Sequence, residues 1–186
     1  MSGRLIIFSG PSGVGKDTIL VEWGRVNERI QRVISYTTRS KREGEIEGLD
    51  YHFVTRERFQ EMAAEGAFLE YKEVYGNLYA TPLHDMNAMI EAGACAVLKI
   101  DVAGALDAME LRPDALTIFV MPPSIEELDR RIRGRGSDSP EQIERRLAAA
   151  HAEIEHAPRY QHRVVNDDLD RVIQELESIV SRECVG

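Results

Sequence analysis

The sequence predicts an α/β fold: a parallel, doubly wound core sheet with helices on both faces, from which two segments protrude. Three observations predict it. The apolar runs at residues 5–8, 96–100 and 116–121 are continuous rather than alternating, the pattern of strands covered on both faces. Stretches with helical spacing follow them, so strand and helix alternate along the chain. The first run also leads into Gly10-Pro11-Ser12-Gly13-Val14-Gly15-Lys16, a glycine-rich turn ahead of a helix, which is the setting of a phosphate-binding loop.

In that loop Gly10, Gly13 and Gly15 free the backbone to turn its N–H groups inward, making a concave anion site at a helix N-terminus, and Lys16 adds a mobile positive charge. Asp17 stands where the general pattern has Ser or Thr, and the hydroxyl comes one residue later as Thr18. The alternative is a tight strand-helix connection with no ligand. The helix that follows carries Ile19, Leu20, Trp23, Val26 and Ile30 on one face.

Residues 32–39 form a short strand running into a polar segment rich in Arg, Lys, Glu and Gly. Tyr51 to Val54 is strand-like, Thr55 caps a helix that Gly66 ends, and residues 68–75 and 78–80 flank a Gly76-Asn77 turn as a small hairpin. Thr81-Pro82 starts a helix with Pro at its first position, and Gly93 closes it. The strand at 96–100 ends at Asp101; a helix with Ala105, Leu106 and Met109 follows, then the strand at 116–121, stopped by Pro122-Pro123. Two capping boxes come next, Ser124 with Glu127 and Ser139 with Gln142, on either side of the basic, glycine-broken stretch 130–136. A last strand at 161–165 leads through Asn166-Asp167-Asp168 into a helix faced by Leu169, Val172, Ile173, Leu176 and Val180. The expected division is a core of residues 1–32, 84–124 and 157–186, an insertion at 33–83 and a lid at 125–156.

One compact unit fits 186 residues. A net charge of -9, from 23 Lys and Arg against 32 Asp and Glu, argues against nucleic acid as partner, so any phosphate is held locally. Cys95 and Cys184 show neither metal-ligand spacing nor a pairing rule, and Cys95 reads as a small core residue. A first strand this near the N-terminus leaves no room for a signal peptide, and no apolar run is long enough to span a membrane. The expectation is a cytoplasmic protein, monomer or homodimer, with no membrane partner.

Taken in order, the phosphate loop, Ser35-Tyr36-Thr37-Thr38-Arg39 with Arg42-Glu43-Gly44-Glu45, Asp50-Tyr51-His52-Phe53, Gly76-Asn77-Leu78-Tyr79, Ile100-Asp101, Arg131-Ile132-Arg133-Gly134-Arg135-Gly136 and Val165-Asn166-Asp167-Asp168 resemble guanylate kinase over nearly the whole chain. The resemblance implies a P-loop kinase that transfers the ATP γ-phosphoryl to GMP (and dGMP) with Mg²⁺, a small mixed α/β GMP-binding insertion, and a helical lid over ATP. It places ATP on residues 10–18, on Arg131 and Arg135 of the lid and on Asn166. GMP falls to Ser35, Arg39, Arg42, Tyr51, Glu70, Tyr79, Thr81 and Asp101. The catalytic set becomes Lys16, Arg39, Arg131, Arg135 and Arg146.

These residue types suit those tasks. The guanidinium forks of Arg39 and Arg42, with Ser35 and the phenols of Tyr51 and Tyr79, match a dianionic monophosphate; the alternative is a solvated basic loop. Glu70 is expected to accept the paired N–H edge of guanine, which adenine lacks; an exposed hairpin carboxylate is the plain alternative. Thr81 and Asp101 each read as a ligand contact, a helix cap or both. Arg130, Arg133 and Arg145 are expected to be solvated neighbours.

The family usually has a small residue or Ser after the loop lysine and an acid two residues before Asp101; here Asp17 and Lys99 take those places. Acid and base are exchanged, so Asp17 and Lys99 are expected to lie together, with Asp17 and Thr18 on the metal side of the nucleotide. Ala80, Glu43 and Val102-Ala103 also depart from the family's pattern without removing a charge. Two rivals stay open: a kinase of another phosphorylated acceptor such as ribose 1,5-bisphosphate, whose relatives sometimes carry Gly-Lys-Asp, and a non-catalytic binding module.

Overall fold

The computed structural model describes residues 3–74, 76–134 and 140–183. In chain order the elements are β1 (Arg4–Ser9), α1 (Lys16–Val26), β2 (Ile30–Arg32), β3 (Tyr36–Thr37), β4 (His52–Phe53), α2 (Arg56–Ala64), β5 (Phe68–Val74), β6 (Asn77–Pro82) and α3 (Leu83–Glu91). Then come β7 (Cys95–Lys99), α4 (Val102–Leu111), β8 (Leu116–Met121), α5 (Ile125–Arg133), α6 (Pro140–Ile154), β9 (His162–Val165) and α7 (Leu169–Glu183).

Five strands form a wholly parallel sheet ordered β2-β7-β1-β8-β9. Its strands bury nearly every side chain because both faces are covered. Ile6, Phe8, Val97 and Ile118 pack with Trp23 of α1 and with Val172 and Leu176 of α7 on one side. Leu5, Ile7, Leu98 and Phe119 pack with Met86 of α3 and Ala105 of α4 on the other. This is the doubly wound arrangement the continuous apolar runs predict. A second sheet, ordered β4-β3-β6-β5, stands apart with a small core of its own around Phe59, Leu78 and Ala80.

Three expectations are corrected. The run expected as one strand at 32–39 is two: β2 adds an edge to the large sheet beside β7, and β3 belongs to the small one. Ile30 is therefore on a strand and not on the helix, which stops where Asn27 turns extended (φ -138). Val26, expected on the packed face of α1, is 64% exposed. Pro82 does not open a helix: β6 runs through it, pairing Pro82 with Phe68, and α3 begins at Leu83. Thr55 and Ser124 cap α2 and α5 as their sequences predict, accepting the N–H groups of Arg58 and Glu127. Ser139, Tyr75, Gly136 and Cys184 lie outside the described residues. Among the described residues, no helix is long and apolar enough to cross a membrane.

Candidate functional site

The loop between β1 and α1 emerges at the carboxyl end of the central strand, the edge at which open parallel sheets bind ligands. Gly10 has φ 150, and a Cβ there would stand 2.5 Å from the Val120 carbonyl oxygen of β8. Gly15, at φ 101, caps α1, and a Cβ on it would meet the Asn166 Nδ2 at 2.5 Å. The chain can pass here only without side chains. Pro11 and Val14 are buried, and Ser12 and Gly13 are half-buried. Asn166 braces the loop, its Nδ2 donating to the Val14 carbonyl at 2.7 Å.

Lys16 folds back and donates to the carbonyls of Gly10 and Pro11. Burial is the largest influence on its ammonium, and although Glu153 opposes it, the pKa falls to about 8. Glu153 comes from α6, and its carboxylate accepts the Ser12 N–H at 3.2 Å. Burial pushes the Glu153 carboxyl up, against the pull of that N–H and of Lys16. Arg146, two turns earlier on α6, donates to the Ser12 hydroxyl at 2.8 Å. Arg131 on α5 is held by Glu127 at 2.7 Å and reaches the carbonyls of Val14 and Asn166 at 3.3 and 3.1 Å. Arg130 stays exposed on Glu127, Arg133 pairs with Asp129 and Glu144, and Arg145 is exposed, as expected of solvated neighbours. Arg135 lies outside the described residues.

Beside the loop, a cleft of about 200 Å³ separates the two sheets, bordered by Ser35, Tyr51, Tyr79, Glu70, Lys99 and Asp101. Arg39 flanks it. Its guanidinium is clamped by both Glu45 oxygens at 2.6 and 3.0 Å and lies over the Tyr51 ring, 5.5 Å from the centroid. Tyr51 and Tyr79 meet edge to face at 5.8 Å. Arg42 is exposed on the same segment and gives its backbone N–H to Glu45 at 2.7 Å.

At the other end Glu70 of β5 is 9% exposed and accepts the Thr81 hydroxyl at 2.6 Å. Burial, with Asp101 adding and Thr81 opposing, lifts its carboxyl to about 7. Thr81 thus spends its hydroxyl on Glu70 and caps no helix. Asp101 caps α4, accepting the Gly104 N–H at 2.7 Å, while still bordering the cleft.

Asp17 and Lys99 do meet: the ammonium at the end of β7 donates to the Asp17 Oδ1 in the first turn of α1. The Asp17 side chain is 71% exposed; the desolvation it does feel works to raise its carboxyl, but Lys99, then Arg32 and Lys16, outweigh that and hold its pKa below the usual range. Thr18 stands exposed beside it. Among the described residues there is no group of three or more metal-ligating side chains. One carboxylate and one hydroxyl suit a hydrated Mg²⁺ that takes its remaining oxygens from nucleotide phosphates and water.

Three residues escaped the sequence. Glu45 stands within the Arg42-Glu43-Gly44-Glu45 motif, and nothing local marks it as the clamp of Arg39. Arg32 reads from its neighbours as part of a plain strand. Glu153 carried a usable signal: seven residues after Arg146, it shares that residue's helical face.

The chain's residues 2–183 match the family model described as guanylate kinase. It is 44% identical over 179 residues to the guanylate kinase of Alkalilimnicola ehrlichii, covering 96% of this chain and 88% of that one. It is 46% identical over 178 residues to that of Chromobacterium violaceum, covering 96% and 85%. The crystal structure of guanylate kinase from Anaplasma phagocytophilum superposes with a TM-score of 0.78 at 35% identity, over 98% of this chain and 86% of that one. With this agreement along its length, the chain belongs to the guanylate kinase family.

Proposed function

We propose that this protein is an ATP:GMP phosphotransferase: it transfers the γ-phosphoryl of ATP to GMP or dGMP, giving ADP and the nucleoside diphosphate. The observation that carries the acceptor's identity is Glu70, a nearly buried carboxylate oriented by Thr81 at the end of a cleft whose other end opens beside the phosphate loop. A carboxylate with two acceptor oxygens pairs with the N1–H and exocyclic N–H of guanine and offers nothing comparable to adenine.

GMP would lie along this cleft in the insertion, residues 33–83, with its base at Glu70, Thr81 and Asp101. Its phosphate would rest against Ser35, Arg39, Arg42, Tyr51 and Tyr79. ATP would set its phosphates in the backbone cradle of residues 10–15, at the positive end of α1. Lys16 would exchange its carbonyl partners for the β and γ oxygens. Arg131, already anchored by Glu127, would close on the transferring group with Arg146 and Arg135 from the lid, residues 125–156, and Asn166 would hold the loop's shape near the adenine. Asp17 and Thr18 would hold the water shell of Mg²⁺, which when bound neutralises phosphate charge.

A GMP phosphate oxygen then forms the new bond to the γ-phosphorus as the bond to the β–γ bridging oxygen breaks, and ADP leaves with that electron pair. Phosphoryl transfer asks a protein mainly for alignment and positive charge, and these residues supply both. ADP release is measured with GMP, dGMP, AMP, UMP and ribose 1,5-bisphosphate as acceptors. The guanine nucleotides should be phosphorylated far faster than the rest; GMP turning over no faster than AMP would overturn the proposal.

A further inference from the structure

Where the loop and the cleft adjoin, Lys16, Arg32 and Lys99 gather among Asp17, Asp50, Asp101 and Glu153. Lys99 ends β7 in register with Phe8 of β1, two residues before the loop begins. Lys99, Ile100 and Asp101, where β7 gives way to α4, all border the cleft. The Lys99 side chain is 12% exposed, against 71% for Asp17. Lys16 and Arg32 act on the same spot: both bear on Asp17, and Arg32, which donates to the Asp50 carbonyl at 2.6 Å, also bears on Lys99. Asp17 is the acid in contact, and Asp50 acts on Lys99 more weakly.

An enclosed ammonium is costly unless anions surround it. Asp17 accepts one of its three N–H donors and is itself mostly in water. Ser35, Tyr51 and Tyr79 border the cleft with Lys99 and offer hydroxyls, while the acids of the lining, Glu70 and Asp101, already accept the Thr81 hydroxyl and the Gly104 N–H. Among the described residues Asp17 is the one acid hydrogen-bonded to the Lys99 ammonium, which leaves N–H donors for the phosphate of a ligand in the cleft.

We propose that Lys99 is a further catalytic residue, which binds the acceptor's monophosphate by exchanging Asp17 for a phosphate oxygen when the cleft fills. It does on the acceptor side what Lys16 does on the donor side, and the flexible four-carbon stem of lysine permits the exchange. This rests on GMP being the acceptor, as proposed above. Asp17 is then the parking place of the ammonium, and the exchanged acid-base pair is a working part of the site.

Calorimetric titration with GMP and with guanosine, without ATP or magnesium, tests it on the wild type, Lys99→Gln, Lys99→Met and Asp17→Asn. A charge-assisted hydrogen bond lost from the phosphate should weaken GMP binding about ten- to a hundredfold in both Lys99 variants while guanosine binding stays unchanged. Asp17→Asn, which removes the competitor, should tighten GMP severalfold. Equal GMP-to-guanosine ratios in the wild type and in whichever Lys99 variant melts cooperatively would overturn the role, as would Asp17→Asn weakening GMP as much as the Lys99 variants do. A wild type that binds no GMP would sink the acceptor assignment instead, so the two failures are told apart.

Discussion

Replacing Glu70 by Gln should make the protein more stable and less able to use GMP. The carboxyl is 9% exposed, and its pKa is lifted from 4.5 to about 7, chiefly by burial. A raised carboxyl pKa means that the folded state holds its proton more tightly than the unfolded chain does. Between pH 4.5 and 7 the folded state therefore binds more protons, and stability falls as pH rises through that window. The cost is absent below about pH 4.5 and complete above about pH 7. At about 1.4 kcal/mol per pH unit, the full penalty is on the order of 3 kcal/mol. Gln retains an oxygen for the Thr81 hydroxyl and carries no charge, so Glu70→Gln should recover most of that penalty at pH 8 and little at pH 4.5. Urea unfolding of both proteins at these two pH values measures the difference. The same carboxyl must be ionised to accept both guanine N–H groups, so wild-type kcat/KM for GMP should drop about tenfold between pH 8 and pH 6. The Gln variant should show a low and nearly flat profile. Equal stabilities at both pH values, or a wild-type GMP profile as flat as the variant's, would refute the argument.

Arg39→Ala should raise KM for GMP about ten- to a hundredfold, since it removes a guanidinium that Glu45 holds in place at 2.6 Å. KM for ATP should hold steady in the same steady-state assay, and a change there instead would put Arg39 on the donor side. Gly10→Ala drives a Cβ to within 2.5 Å of the Val120 carbonyl oxygen, so it should cost about 1–3 kcal/mol in denaturant unfolding and abolish detectable ATP binding by calorimetry. Lys99→Asp alone sets two carboxylates together beside the loop and should impair turnover more than the same change combined with Asp17→Ser. Coupling of about 1–3 kcal/mol between the positions is expected in the double-mutant cycle, and simple additivity would show that they do not act as a pair.

Features decided within a few residues were legible in the chain. The phosphate loop, the caps at Thr55 and Ser124, and the buried strands β7 and β8 follow from spacing and local hydrogen bonding. The exchange of Asp17 and Lys99 was legible for another reason: two opposite departures predict each other's partner. What long-range pairing decides was less visible. β2 is three residues long and is a strand only because β7 lies beside it, and Ile30 continues the helical spacing of α1 closely enough to mask the break at Asn27. Thr81 sits ahead of a proline, as a cap would, yet pairing with β5 keeps the chain extended through Pro82 and turns the hydroxyl to Glu70. The spacing of Glu153 from Arg146 marks a shared helical face, but its contact with Ser12 spans 141 residues and is set by the packing of α6 on the loop.

That contact changes what donor affinity means. The Ser12 N–H and the Lys16 charge are already answered by a carboxylate from α6, so in the proposed function a triphosphate at the loop has to displace a tenant built into the chain. On that proposal the measured affinity is the difference between two occupants. By reciprocity, anything that clamps α6 in place weakens the donor by the same factor as the donor loosens the clamp.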